Sequence, residues 1–194
     1  MKKDIILAGV GGQGILSIAA IIGYAAVETG LYLKQAEVHG MSQRGGDVQS
    51  NLRLSDKPVA SDLIPHGKAD MILSVEPMES LRYLPFLSPE GWLVTNTKPF
   101  INIPNYPDEA AIMAEIKKLP RHVALDAETI AKDLGTVKAA NIVMLGAASP
   151  FLGLEYGKLK DAIEFFFGRK GADLVELNLK ALEAGRKFAE ENKN

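Results

Sequence analysis

The chain has 194 residues, of which 47% are hydrophobic and 24% charged, with a formal net charge of −2. Such a composition describes an ordinary soluble globular protein of about one domain and exerts no global pull toward nucleic acid or an anionic membrane. There is no cysteine, which excludes disulfides, thiolate-held iron–sulfur clusters and zinc-thiolate sites; His39, His66 and His122 show no metal-ligand spacing.

Residues 4–10 run Ile5, Ile6, Leu7, Ala8 and Val10 without alternation, the pattern of a strand in a parallel sheet covered on both faces. Gly11 to Gly14 turn the chain, and residues 15–28 predict a helix with Gly30 as its C-cap. That helix is apolar on most sides, which predicts burial between the sheet and a further layer or a partner, with Ser17 inside it bonded to a backbone carbonyl. Residues 31–38 predict the second strand, placed as a parallel neighbour of the first. Val48, Ser50, Leu52 and Leu54 then alternate with Gln49, Asn51 and Arg53, a half-exposed strand, antiparallel and near an edge, that Lys57-Pro58 ends. Further strands are expected at 70–75 and 91–97, the latter with Trp92 and Val94 on one face and Leu93 on the other, and between them a helix starts at Glu76-Pro77.

Residues 98–107 carry Pro99, Pro104 and Pro107 and read as an excursion loop. Asp108-Glu109 opens a helix that Lys117-Lys118 closes, acids first and bases last as the helix dipole favours. A short strand at 122–125 and a helix at 127–134, ended by Gly135, follow. From residue 136 the pattern is helical: a buried segment at 137–148, then helices at 159–167 and 173–191. Met71, Met78, Met113 and Met144 occupy apolar positions and read as core. Together these elements predict a three-layer α/β domain over residues 1–194, with a mostly parallel, Rossmann-like sheet and a helical C-terminal region at 136–194. Lys2-Lys3 leads into no secretory pattern, and the longest apolar run, 15–27, is short of the about 20 residues that span a bilayer, so a cytoplasmic protein is expected.

Two stretches carry chemistry. Gly9-Val10-Gly11-Gly12-Gln13-Gly14 lies between a strand and a helix, where unpaired amides and the positive helix end favour an anion. Glu37 stands where a dinucleotide fold places a ribose-gripping acid, which supports an NAD(P)-binding reading; alternatively the glycines serve only the turn. The second stretch is Glu37-Val38-His39-Gly40-Met41-Ser42-Gln43-Arg44-Gly45-Gly46. Gly45 and Gly46 permit close backbone approach, and the Arg44 fork suits a carboxylate or phosphate; alternatively Arg44 makes a surface ion pair in a turn. His39 either titrates near neutrality or is a hydrogen-bonded strand-end residue. Asn141 either bonds a neighbouring loop or touches a ligand, while His66 and His122 read as surface or loop residues. No serine sits in a nucleophile elbow, and no catalytic residue is assigned.

The two motifs in succession, with the block His39-Gly40-Met41-Ser42-Gln43-Arg44-Gly45-Gly46 the more specific, resemble the gamma subunit or domain of 2-oxoacid:ferredoxin oxidoreductases, on the indolepyruvate branch. The likeness runs through Lys138-Ala139-Ala140-Asn141-Ile142-Val143-Met144-Leu145-Gly146-Ala147. It implies a small subunit of an enzyme of anaerobic metabolism. The reaction would oxidatively decarboxylate indolepyruvate or another arylpyruvate with coenzyme A, giving an aryl-acetyl-CoA, carbon dioxide and reduced ferredoxin. Thiamine diphosphate, magnesium and [4Fe-4S] clusters are then expected on a large partner subunit, with none bound by this chain alone and the isolated chain inactive. The implied cofactor-binding residues are Gly11, Gly12, Gln13, Gly14, His39, Gln43, Arg44, Gly45 and Gly46, with no metal site, no nucleic acid and no membrane. A purely structural scaffold subunit is the remaining alternative.

Overall fold

The computed structural model of the protein describes residues 1–40 and 45–193. The elements run β1 (Lys2–Val10), α1 (Ile15–Glu28), β2 (Tyr32–His39), β3 (Asp47–Ser55), β4 (Ala69–Ser74), α2 (Pro77–Arg82), β5 (Leu87–Asn96), α3 (Glu109–Lys117), β6 (His122–Leu125), α4 (Ala127–Asp133), α5 (Ala140–Ala148), α6 (Tyr156–Phe167) and α7 (Ala172–Asn192). Among the described residues there is one six-stranded sheet in the order β2-β3-β1-β4-β5-β6. β1, β4, β5 and β6 are mutually parallel, while β3 runs antiparallel to both β1 and β2. Odd positions of β1, Ile5 and Leu7, face a core built with α1 and α4 to α7. Even positions, Ile6 and Ala8, face a smaller core with α2 and α3. The expected three-layer α/β arrangement is therefore present, with Trp92 and Val94 facing one core and Leu93 the other. No helix among the described residues is long and apolar enough to cross a membrane.

The order corrects one expectation. β1 and β2 run the same way but are not neighbours, because β3 lies between them. Nor is β3 a half-exposed strand: it is antiparallel, as read, but its polar positions are covered. Asp4 stands directly opposite Arg53 in the β1–β3 ladder and is fully buried. Arg53 grips it in a fork, Nε to Oδ1 at 2.8 Å and Nη2 to Oδ2 at 3.1 Å, and donates through Nη1 to the carbonyls of Ser61 and Leu63 at 3.0 Å each. Lys2 Nζ adds a contact at 2.9 Å. Asn51, 2% exposed, accepts the Ile64 amide on Oδ1 at 3.1 Å. At Asn51 and Arg53, a pattern that resembles one wet face is engaged within the fold.

Three smaller expectations also shift. α1 buries the stripe Ile15, Ile18, Ile22 and Ala25, but Leu16 and Val27 are more than half exposed, and Ser17 is exposed rather than buried. His122 is buried in β6, its Nδ1 paired with the Leu119 carbonyl at 2.8 Å, rather than a surface residue. α5 and α7 cross so closely that a Cβ on Gly146 would stand 2.1 Å from the Leu182 carbonyl oxygen, and one on Gly185 1.9 Å from that of Val143. Only glycine fits either position.

The Asp4 pair sets a pH dependence. Burial by itself raises the Asp4 carboxyl, but the bonds and charges of Arg53 and Lys2 outweigh it and hold the group below its ordinary value of 3.8. A carboxyl depressed on folding contributes stability that is complete above its unfolded value and is lost as pH falls through the folded one. Asp4→Asn leaves Arg53 without its charge partner and should cost about 3–5 kcal/mol at neutral pH. In denaturant titrations the gap to the wild type should narrow once the pH drops below 3.8; a gap that stays constant there would contradict this.

Candidate functional site

β1 delivers the chain to the carboxyl edge of the sheet at Val10, and the glycine loop begins there. Gln13 braces it: its Oε1 accepts the Val10 amide at 2.8 Å, its own amide donates to the Val10 carbonyl at 3.2 Å, and its Nε2 reaches the Val75 carbonyl at 3.4 Å. Gln13 thus has its side-chain amide engaged within the fold. Gly14 takes the left-handed conformation (φ +83°) as N-cap of α1 and brings no side chain to the helix end. Its carbonyl receives the Ser17 and Ile18 amides and, at 3.4 Å, Asn141 Nδ2 from α5. For Asn141 this is the neighbouring-loop bond read from the sequence.

The described ends of the second glycine stretch, Gly40 and Gly45-Gly46, lie beside the first. Gly11 N donates to the Gly46 carbonyl at 2.9 Å, and Gly40 N to that of Asp47 at 3.2 Å, closing the β2–β3 connection beside the loop. β2 and β1 both point to this edge, and β3 starts from it. The loop at 98–107 is fastened to the same place. Asn102 Nδ2 bonds the Gly45 carbonyl, and the fully buried Glu76 accepts the Phe100 amide at 3.3 Å and the Tyr106 hydroxyl on Oε1. The other Glu76 oxygen caps α2 through the Glu79 amide at 2.8 Å. Burial and the Glu76 carboxylate push the Tyr106 hydroxyl above its usual range, which keeps it a donor. Burial likewise raises Tyr83, to about 12, beside Asp47 at the root of β3.

Two clefts open on either side of the glycine loop. One, of 420 Å³, lies at the carboxyl ends of β1, β4 and β5, lined by Gly12, Gln13, Gly14, Val75, Asn96, Glu128, Lys138, Asn141 and Met144. This is where helices leave opposite faces of the sheet, α1 from β1 and α2 from β4, the crevice in which open α/β sheets bind ligands. The other, of 440 Å³, is walled by Gly11, Gly12, Leu16, Glu37, His39 and Val48. His39 is exposed, with Nδ1 3.7 Å from Glu37 Oε1. Gly14, the N-cap of α1, lines both clefts, so the positive end of the helix borders each of them, a setting for phosphate or carboxylate. Gly11, Gly12, Gln13, Gly14, His39, Gly45 and Gly46 are thus brought together on one edge, whereas Gln43 and Arg44 lie outside the described residues. Glu37 comes from a strand separated from β1 by β3, unlike the adjacent strand of a dinucleotide fold. Lys138 and Asn96 in the first cleft and Glu76 beneath the loop stand in no sequence motif that marks them as site residues. For Glu76, the Glu-Pro helix start marked the cap but not its second role as a loop anchor. Among the described residues there is no group of three or more His, Asp or Glu able to hold a metal ion.

The loop's geometry sets a test. A Cβ on Gly14 would meet Asn141 Nδ2 at 2.5 Å, whereas one on Gly12 (φ +100°) meets nothing within 4 Å. Gly12→Ala should therefore cost only the backbone term, roughly 1–2 kcal/mol. Gly14→Ala should cost measurably more in thermal unfolding, and Gly14→Ala combined with Asn141→Ala should recover the excess; equal costs for the two single variants would refute this account.

Comparison with known proteins places the architecture. A curated relative, indolepyruvate oxidoreductase subunit IorB of Archaeoglobus fulgidus, is 38% identical over 194 residues, covering 95% of this chain and 94% of that one. The crystal structure of a keto/oxoacid ferredoxin oxidoreductase gamma subunit from Geobacter sulfurreducens superposes with a TM-score of 0.72 at 26% identity, over 98% of this chain and 99% of that chain. The 2-oxoglutarate:ferredoxin oxidoreductase of Magnetococcus marinus shares the fold, with a TM-score of 0.79 at 23% identity, over 98% of this chain and 31% of that chain. The family model for pyruvate ferredoxin/flavodoxin oxidoreductase matches residues 4–188, and this chain belongs to that family.

Proposed function

We propose that this chain is the small, cluster-free subunit of an indolepyruvate:ferredoxin oxidoreductase, one gamma-type domain over residues 1–194 acting in the cytoplasm. The observation that carries the reading is the end-to-end likeness to a subunit of that name at 38% identity. The reaction is oxidative decarboxylation of an arylpyruvate with coenzyme A, yielding an aryl-acetyl-CoA, carbon dioxide and reduced ferredoxin. The donor set of this chain does not fit an iron–sulfur cluster, since it has no cysteine. In this reading, as the family resemblance implies, thiamine diphosphate, magnesium and the clusters reside on a large partner subunit, which passes electrons to ferredoxin.

The contribution of this chain is the carboxyl edge of its sheet. Amides at the start of α1 and the Lys138 side chain suit the phosphates of coenzyme A, which the Magnetococcus marinus enzyme is described as binding. Gly11, Gly12, Gln13 and Gly14 bring the backbone close, and His39, Gly45 and Gly46 share the edge; Gln43 and Arg44, outside the described residues, are the further binding side chains of this reading, the Arg44 guanidinium being a fork suited to an anion. Exposed apolar side chains around this edge, Leu16, Phe100, Ile101, Ile103 and Val137, support its docking against the large subunit.

Co-expression with the large subunit tests the reading. The assembly should reduce ferredoxin with indolepyruvate and coenzyme A, while the pure chain shows no oxoacid-dependent dye reduction; activity of the pure chain would overturn it. In the assembly, Arg44→Ala should raise the KM for coenzyme A about tenfold or more, the loss of one charge-assisted bond, with the oxoacid KM little changed and Arg44→Lys restoring it in part. Wild-type coenzyme A dependence in both assembled variants would leave Arg44 a turn residue.

A further inference from the structure

The two edges of the sheet are unlike. β6 is four residues long and made of buried and half-buried positions. β2 is eight residues long, pairs with β3 without a register shift from Tyr32↔Ser55 to His39↔Val48, and contains neither proline nor glycine. Edges of monomers are normally blunted by bulges, prolines, short length or charged side chains. β2 has no bulge, no proline and is not short; the charged side chains on it are Lys34 and Glu37.

The ladder shows which groups it offers. Gly40 N donates to the Asp47 carbonyl, so even-numbered residues of β2 bond β3. Leu33, Gln35, Glu37 and His39 turn their amides and carbonyls away from the sheet. Of the strand's side chains, Tyr32 and Val38 stand 52% and 58% exposed.

We propose that β2 is the interface with a second copy of this chain, the two β2 strands pairing antiparallel about a two-fold axis through Gln35, so that the two sheets become one. An axis normal to a continuous sheet pairs residues of equal parity, so outward-bonding residues always meet outward-bonding residues. With Gln35 on the axis, Leu33 meets Glu37 of the second copy and Gln35 meets Gln35, giving about six backbone bonds at two per hydrogen-bonded pair. The other pairs, where side chains approach most closely, set Tyr32 against Val38 of the second copy, twice over, and Lys34 against Ala36. Thus the strand's two most exposed apolar side chains cover each other, and the two Gln35 amides can bond across the axis. Neighbouring registers are poorer. An axis through Lys34 sets lysine against lysine, and one through Ala36 places Lys34 against Val38 and leaves Tyr32 opposite Gly40. This self-complementarity selects a second copy over an unrelated strand. The inference does not rest on the redox reading above.

Because the chain has no cysteine, a single one is a clean reporter. Residues in a hydrogen-bonded antiparallel pair lie about 5.5 Å apart at Cα, within disulfide reach. Under mild oxidation the full-length Gln35→Cys variant should give a covalent dimer, both alone and in its assembly with the large subunit, while Lys132→Cys on α4 should not. Gln35→Pro removes only an outward amide, which edge strands tolerate, and should weaken the dimer at least tenfold in analytical ultracentrifugation with an unchanged circular dichroism spectrum. A wild type that stays monomeric with no Gln35→Cys cross-link overturns the proposal. So does a dimer that Gln35→Pro leaves intact, or a cross-link that reaches only the large subunit.

Discussion

The buried pair between Asp4 and Arg53 is the constraint on which the sheet depends. An aspartate at a fully covered position of the first strand is tolerable only beside a cation with matching geometry, and Arg53 supplies one by standing opposite it in the ladder. That requirement places β3 against β1 and sends β2 to the edge. It also fixes the ladder register, so β3 begins level with the end of β1, and the Gly46 carbonyl meets the Gly11 amide. The site's two glycine segments are therefore neighbours because of an ion pair at the far end of the strands.

Much of this was legible in the sequence, in proportion to how locally each signal acts. Strands with unbroken apolar runs, helix starts at Glu76 and Asp108, and the glycine stops of α1 and α4 depend on a few adjacent residues, and they stand where the pattern put them. Strand order does not act locally. Asn51 and Arg53 look like part of a solvent face because their partners, the Ile64 amide and Asp4, are remote in the chain. The same holds for His122, whose burial follows from the turn at Leu119 rather than from its immediate neighbours. At the site, the juxtaposition of the two glycine stretches was expected from parallel neighbouring strands. It arises instead from an antiparallel strand set between them, which preserves the shared edge because β1 and β2 still run the same way.

The candidate site combines two kinds of support. Its floor is backbone: glycine amides and a helix end, braced by Gln13, which has its polar groups turned to this task. Its rim is loop: the 98–107 segment, held by one buried carboxylate that also caps α2. Glu76 thereby links a loop bearing exposed Phe100, Ile101 and Ile103 to the rigid sheet. A surface carrying that much apolar area stays ordered only when anchored from below, and a single acid with both oxygens engaged does so without adding a charge to the rim.

The crossing of α5 and α7 bears on how this chain can diverge. Each glycine there is filled by a carbonyl of the opposite helix, so a larger residue at Gly146 or Gly185 has no side chain to displace, only backbone. Backbone cannot be exchanged for a smaller group by mutation, so a second substitution elsewhere cannot rescue the first. The outer face of α7 is free to drift while these two positions remain locked, and through α5 they hold Asn141 at the glycine loop. Variation among relatives should therefore accumulate on the exterior of the helical layer, with the helix pair acting as a fossilised joint beneath it.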